Sequence, residues 1–200
     1  MKTDRITINS NGYGMEAALD EVEGFSKLMG FDERSARRAR LLAEETMSMV
    51  RAIVDDFSAE FWMESKPECS CELHLLAGSA MSYDKKQELI AVSTKQRNEA
   101  SVGIMGKIKD FIEDSLYNMK EGTNVSMGDC HFMSMGGVAL AMDVYTWSLD
   151  KYRQDVERDE EDALEELEKS IVANIADDVR VSVEGNHIEM IIRKNFPIQA

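Results

Sequence analysis

The sequence predicts an α+β protein, a two-layer sandwich in which helices cover one face of a mixed or mostly antiparallel sheet. Segments that alternate apolar and polar residues occur near both ends of the chain, at 5–9 and 179–193. Such alternation is typical of half-buried strands. Segments between them repeat apolar residues three or four positions apart, which predicts amphipathic helices. Predicted strands that are neighbours in sequence form hairpins, so the sheet is expected to be largely antiparallel.

The N-terminal part of the chain predicts a strand, two helices and a hairpin. After the strand at 5–9, the first helix begins near Met15 and ends at Gly30. Asp32 is the predicted N-cap of a second helix that extends to about Phe57. Strands are expected at 60–64 and 71–76, with a turn around Pro67. The apolar stripe of the second helix is predicted to contain Leu42, Thr46, Met49, Ile53 and Phe57.

The C-terminal part predicts more helices, an insertion and a second hairpin. Helices are expected over about 84–92 and around Ile108 to Leu116. Residues 120–145 are rich in Gly, Ser and Met, and we interpret them as an insertion into a single domain that spans residues 1–200. Such a segment either adapts to several partners or packs on the domain. An acidic helical region over 147–177 and a hairpin over 179–193 follow.

The overall charge disfavours two classes of partner. The formal net charge is −15, whereas nucleic acids and anionic membranes attract clustered lysine and arginine. No apolar run approaches the roughly 20 residues that span a bilayer. The expected location is the cytoplasm, with neither nucleic acid nor membrane as a partner.

The cysteines do not predict a metal site. Cys69, Cys71, Cys130 and His131 offer four ligands of the zinc type. Their spacing is not that of the usual zinc pairs, and the first two cysteines precede a predicted strand. An odd number of cysteines also argues against a disulfide framework. We expect reduced thiols and no bound metal.

Glu45 is the first candidate for a functional residue. Its spacing from Leu42 and Met49 puts its carboxylate at the edge of the apolar stripe. A carboxylate beside a core is costly unless it is paired, hydrogen-bonded or next to a cavity. Glu45 is therefore a candidate general base or water-positioning residue. The alternative is an ordinary glutamate at the rim that reaches solvent or an arginine.

The second candidate is a glycine pair at the start of a predicted helix. Gly103 and Gly106 allow close backbone approach, and the free N–H groups of a helix start favour an anion. Lys107 adds a positive charge. Residues 85–109 carry six basic and two acidic residues, a local net charge of +4. This pattern indicates a phosphate-bearing ligand, although close helix packing also explains two glycines three residues apart.

The order of these elements resembles the histidine-kinase-like ATPase (GHKL) superfamily, and in particular its anti-sigma factors and serine kinases. Residues 41–49, Leu-Leu-Ala-Glu-Glu-Thr-Met-Ser-Met, echo the family pattern Leu-Ala-x-x-Glu-x-x-x-Asn. Gly103-x-x-Gly106 echoes its second glycine box. The resemblance covers about residues 5–118 and implies ATP as the cofactor, a protein partner such as a sigma factor or an anti-anti-sigma-like regulator, and a homodimer. The site residues that it implies are Glu45 as the base, with Ser48, Gly78, Gly103, Gly106 and Lys107 at the nucleotide.

Two positions depart from the family pattern. Met49 stands where the family has the asparagine that holds magnesium, and a thioether offers no oxygen ligand. Ala77 and Gly78 stand where the family has the aspartate that binds the adenine amino group. The prediction is therefore a catalytically inactive regulatory protein with weak or absent nucleotide binding and without magnesium.

Two other functions compete with this prediction. The first is an active ATPase or serine protein kinase with an atypical magnesium site, in which Ser48 or a residue of the insertion replaces the asparagine. The second is an interaction domain whose cleft is filled by side chains. In the favoured prediction, Glu45 lies beside a cleft whose other wall includes Gly103 and Gly106.

Overall fold

The computed structural model describes residues 1–53, 57–67, 69–79, 104, 107, 108, 110–112, 115, 146–159, 170–184 and 187–198. The strands are β1 (Ile6–Asn9), β2 (Phe57–Lys66), β3 (Cys69–Ser79), β4 (Thr146–Ser148), β5 (Asp178–Glu184) and β6 (His187–Lys194). The helices are α1 (Met15–Leu28), α2 (Glu33–Ile53), α3 (Leu149–Asp159) and α4 (Ile171–Ile175). The strands form one sheet in the order β1-β2-β3-β6-β5-β4, and every neighbouring pair is antiparallel.

One face of this sheet is apolar and packs against the helices. Leu75 of β3 lies between Phe61 of β2 and Met190 of β6, and Met190 lies opposite Val181 of β5. Because side chains alternate along a strand, these residues and their neighbours two positions away share one face. They belong to the same buried cluster as Phe25 of α1 and Leu42 and Met49 of α2. The predicted α+β sandwich, with helices on one face of the sheet, is confirmed.

Helix α1 is preceded and followed by glycines that the backbone requires at those positions. Gly14, before α1, has φ 76°, and a Cβ there would lie 2.0 Å from the carbonyl oxygen of Thr7. Only glycine fits that approach. After α1, Gly30 has φ 69° and donates its N–H to Lys27 O at 3.2 Å, while Phe31 N–H donates to Ser26 O at 3.0 Å. These two bonds form a Schellman motif, so the predicted C-terminus at Gly30 is confirmed.

Three predicted boundaries differ from the structure. Helix α2 ends at Ile53, and Phe57 is the first residue of β2. The prediction was wrong because Phe57 follows Ile53 at helical spacing. Phe57 is buried in the core, as a residue of the helical stripe would be, but it belongs to a strand. Trp147, predicted to begin a helix, lies in β4 opposite Val181. Strands β2 and β3 are also longer than predicted at both ends, because their pairing extends from Phe57 opposite Ser79 to Lys66 opposite Cys69.

Some predictions fall partly or wholly outside the described residues. The predicted helix over 84–92, the insertion over 120–145 and the glycines at 103 and 106 lie outside them. The described residues between 104 and 115 are helical. Ile108 and Ile112, which belong to the predicted apolar face, are buried in the core, and so is Ile104. Among the described residues, no helix has both the length and the hydropathy to cross a membrane.

Candidate functional site

The predicted nucleotide-site residues of α2 are neighbours on that helix but differ in burial. Glu45 is half-buried, and Ser48, almost one turn later, is exposed. Met49 is only 1% exposed and belongs to the hydrophobic core. The side chain at position 49 therefore faces the sheet, and its thioether has apolar neighbours.

Two of the other predicted site residues, Gly78 and Lys107, lie in different elements. Gly78 lies inside β3, paired with Ser58 on one side and His187 on the other. A Cβ at Gly78 would meet no atom closer than 3.9 Å, so packing does not demand glycine there. Lys107 is helical and exposed. Because Gly103 and Gly106 lie outside the described residues, the cleft between them and Glu45 stays a prediction.

Charged side chains on the polar face of the sheet form a second candidate site. We call Glu64, Lys66, Glu72, His74 and Arg193 the charged cluster. Glu64 of β2 lies opposite Glu72 of β3, and Glu72 lies opposite Arg193 of β6. Two glutamates that face each other across strands repel, so this pairing requires nearby cations.

Lys66 and Arg193 supply those cations. Lys66 Nζ lies 2.9 Å from Glu64 Oε1 and 2.5 Å from Glu72 Oε2, and Arg193 Nε donates to Glu72 Oε1 at 2.6 Å. Burial raises the pKa of Glu72, but Lys66 and Arg193 together outweigh it and hold that pKa below its ordinary value. The hydrogen bond from Lys66 lowers the pKa of Glu64 as well. Both carboxylates are therefore ionised at neutral pH.

His74 is buried against the same two carboxylates. Its Nε2 lies 3.2 Å from Glu64 Oε1 and 3.4 Å from Glu72 Oε2. Neither ring nitrogen has a well-aligned hydrogen bond among the described residues. Burial lowers the pKa of His74, although the two carboxylates oppose that shift, so the imidazole is neutral at pH 7.

A stack of rings and cations fixes the orientation of His74. Its ring stacks on Trp62, with centroids 4.8 Å apart and planes 6° apart. Arg5 lies over the indole at 4.4 Å from the ring centroid, and Lys2 lies at 5.3 Å. Cation–π attraction of this kind stabilises the position of the indole. The stack leaves the imidazole little freedom to turn away from the carboxylates.

The donor atoms of this cluster are close enough to share an ion. One oxygen from each of Glu64 and Glu72 and one nitrogen of His74 all lie within 4.8 Å of one another. A neutral imidazole with two carboxylates is a ligand set that divalent transition metals accept. Cys71, from the cysteine set of the sequence analysis, is instead buried on the core face.

The N-terminal part of α2 carries a separate basic concavity. It has a volume of about 420 Å³ and is lined by Arg34, Arg37, Arg38 and Leu41. Arg37 forms an exposed ion pair with Glu33 at 2.6 Å. Three arginines at a helix start favour acidic groups, since the helix dipole acts in the same direction.

The charged cluster was not predicted, although part of its pattern is visible in the sequence. Glu64-x-Lys66 and Glu72-x-His74 have the spacing of residues that share one face of a strand. The two segments flank the predicted turn at Pro67, so pairing the two strands of the hairpin brings the glutamates together. Arg193 lies 121 residues beyond Glu72 in sequence, and only the tertiary pairing reveals it.

Comparison with known proteins gives this chain no relative: no family model, no curated protein and no solved structure matches it.

Proposed function

We propose that the protein is a regulatory protein of the histidine-kinase-like ATPase type that binds ATP weakly or not at all and acts by binding a protein partner. The observation that carries the proposal is the burial of Met49. Glu45 and Met49 are one helical turn apart in α2, at the spacing of the family's catalytic glutamate and magnesium-binding asparagine. Glu45 is half-buried, whereas Met49 is packed in the core.

The chemistry of magnesium explains why this matters. Mg²⁺ requires oxygen ligands in near-octahedral geometry, and a buried thioether supplies none. Without the metal, the charge that develops during phosphoryl transfer loses its main stabilisation. A chain that keeps the glutamate but lacks the metal ligand is not expected to catalyse phosphoryl transfer. We therefore propose that it acts by binding a partner.

The proposed partner is a sigma factor or an anti-anti-sigma-like regulator, and the proposed compartment is the cytoplasm. A homodimer is the proposed assembly. The order β1-α1-α2-β2-β3, followed by helical residues among those described between 104 and 115 and by a final hairpin, supports the family likeness on which these proposals depend.

Phosphate release from ATP tests the catalytic part of the proposal. In the presence of magnesium, the purified protein and its Glu45→Ala variant are expected to release phosphate at the same background rate. Calorimetry should also show that any ATP binding is unchanged when magnesium is removed with a chelator, because the metal ligand is missing.

Turnover that disappears in Glu45→Ala would overturn the proposal in favour of an active ATPase or serine protein kinase. Ser48→Ala would then identify the atypical magnesium ligand. Ser48 is exposed, so this substitution leaves the core undisturbed, and a loss of turnover in Ser48→Ala would not be explained by loss of folding. Affinity capture from the source cell tests the partner, and recovery of no transcriptional regulator would count against that part.

A further inference from the structure

We propose that Glu64, Glu72 and His74 form a binding site for a divalent transition-metal ion of the zinc class, and that the Lys66 ammonium occupies this site in the metal-free protein. The charged cluster lies on the polar face of the sheet, whereas Glu45 and Met49 belong to the helical layer. The two proposals are therefore independent, and neither requires the other.

The distances between ligand atoms fit a tetrahedral ion. Zinc holds nitrogen and oxygen ligands at about 2.0–2.2 Å, so the ligand atoms of a tetrahedron lie roughly 3.3–3.6 Å apart. His74 Nε2 lies 3.2 Å from Glu64 Oε1 and 3.4 Å from Glu72 Oε2. The third edge, between one oxygen of each carboxylate, is no longer than 4.8 Å, so a bound ion would draw the two oxygens together.

His74 supplies an independent indication of a ligand. The side chain is only 6% exposed, and both of its ring nitrogens lack a hydrogen-bond partner among the described residues. A buried polar group without a partner costs free energy, and such groups are uncommon in folded proteins. Nε2 faces the two carboxylate oxygens, and the stack on Trp62 fixes the ring in that orientation. A metal ion at this point would satisfy the nitrogen that the protein leaves unpaired.

Lys66 has the properties of an exchangeable cation. Its ammonium contacts the same two oxygens as His74 Nε2, at 2.9 and 2.5 Å. The Lys66 side chain is 36% exposed, and it lies at the end of β2, where the strand register shifts between Glu64 and Lys66. The ammonium can therefore swing into solvent while the strands stay paired.

Arg193 keeps the site ready for the ion once Lys66 leaves. It holds Oε1 of Glu72 at 2.6 Å, which leaves Oε2 for the metal. Such an outer contact orients a carboxylate ligand and supports metal affinity. Three protein ligands leave a fourth position for water, the arrangement of open zinc sites.

Cobalt(II) titration followed by visible absorption tests the proposal, because tetrahedral Co²⁺ absorbs far more strongly than the aqueous ion. The full chain is expected to develop the tetrahedral bands and to lose them when zinc is added. Lys66→Met, which keeps the length of the side chain but removes the competing charge, should bind at least tenfold more tightly. His74→Ala and Glu64→Gln should each bind at least tenfold more weakly.

Two controls separate this site from other ligands and from loss of folding. His187→Ala changes an exposed histidine at the start of β6, and Cys69→Ser removes a thiol of the alternative cysteine set; both should bind cobalt like the wild type. Far-UV circular dichroism checks that each variant folds, and Glu64→Gln, at a less buried position than His74, keeps the test decisive if His74→Ala unfolds. Binding that survives in Glu64→Gln, that Lys66→Met does not tighten, or that Cys69→Ser abolishes would overturn the proposal.

Discussion

Asp32 shows how one side chain sets the beginning of a helix. Its Oδ1 accepts the backbone N–H of Ser35 at 2.6 Å, three residues into the turn, which is the N-cap arrangement. Hydrogen bonds from the side chain and backbone of Ser35 hold the pKa of Asp32 below its ordinary value. The ionised form is thus favoured in the folded protein, where it also faces the positive end of the α2 dipole.

Replacing Asp32 by alanine is expected to destabilise the protein at neutral pH and to have no effect in strong acid. Because the folded-state pKa is lowered, the stabilisation is complete above the pKa of the unfolded chain, about 4. It is lost as the pH falls through the lower folded-state pKa. Denaturant unfolding of wild type and Asp32→Ala between pH 2 and 7 measures the difference, with Asp20→Ala on the exposed side of α1 as control. A difference that does not depend on pH would contradict the N-cap explanation.

Asp32 and Glu72 differ in whether their roles could be predicted from the sequence. Asp32 was predictable because its role depends on residues three positions away. Glu72 was not, because its fully buried carboxylate depends on Arg193, which comes from a distant strand. Along β3 alone, Glu72 and His74 look like the ordinary solvent face of a strand. Removing a cation from a buried carboxylate is destabilising, since it leaves a charge without its partner, so the cluster matters for stability with or without an ion.

At the scale of elements, the segment after β6 fastens the sheet to the turn between the helices. Phe196 is 5% exposed and packs against Phe31 with ring centroids 5.1 Å apart, and Phe31 in turn meets Phe25 at 6.2 Å. The backbone N–H of Phe196 donates to the hydroxyl of Ser70 at 2.7 Å. A short terminal segment therefore contacts both layers of the sandwich.

Phe196→Ala is expected to lower the free energy of unfolding by about 3–5 kcal/mol, the usual cost of removing a buried phenylalanine ring. Urea unfolding at neutral pH measures the change. Ile198→Ala is the matched control, since Ile198 is 55% exposed in the same segment and should change stability by less than about 0.5 kcal/mol. A loss below about 1 kcal/mol for Phe196→Ala would mean that the segment is not fastened as described.

The elements that sequence patterns identify best are those with local signals. The helix end at Gly30 and the alternation of β5 and β6 depend on residues close together in sequence, and both were predicted. Strand β4 was missed because its three residues are too few to show an alternation, and α3 begins directly after it. Phe57 was assigned to a helix because periodicity alone does not locate the end of α2.

At the scale of the whole molecule, the sheet consists of two locally formed halves. Strands β1, β2 and β3 come from the first 79 residues, and β4, β5 and β6 come from residues 146–194. Among the residues that the structure describes, the strands of the two halves meet at one ladder, between β3 and β6, with Leu75 opposite Met190 near its centre. Breaking that one ladder divides the sheet into two three-stranded pieces.

A chain that ends at residue 145 is expected to aggregate, because β3 then becomes an exposed edge with apolar residues on its core face. Light scattering and sedimentation of this truncated protein, compared with the full chain, measure the effect. Placing a charge on the solvent face of that edge, as in Leu76→Lys, should reduce the aggregation of the truncated protein. A truncated chain that stays monomeric and folded would show that the N-terminal half closes its own edge.

The β3–β6 ladder also has a consequence for biosynthesis. Gly78 pairs with His187, 109 residues later in the chain, and the other pairs of the ladder are farther apart still. At translation rates of about 5–20 residues per second, the finished β3 waits roughly 5–20 s before its partner leaves the ribosome. During that interval the backbone N–H and C=O groups of one edge of β3 are unpaired and can bind other nascent chains. From the order of strands we expect the nascent chain to depend on chaperones at the ribosomal exit more than a chain whose strands pair only with sequence neighbours.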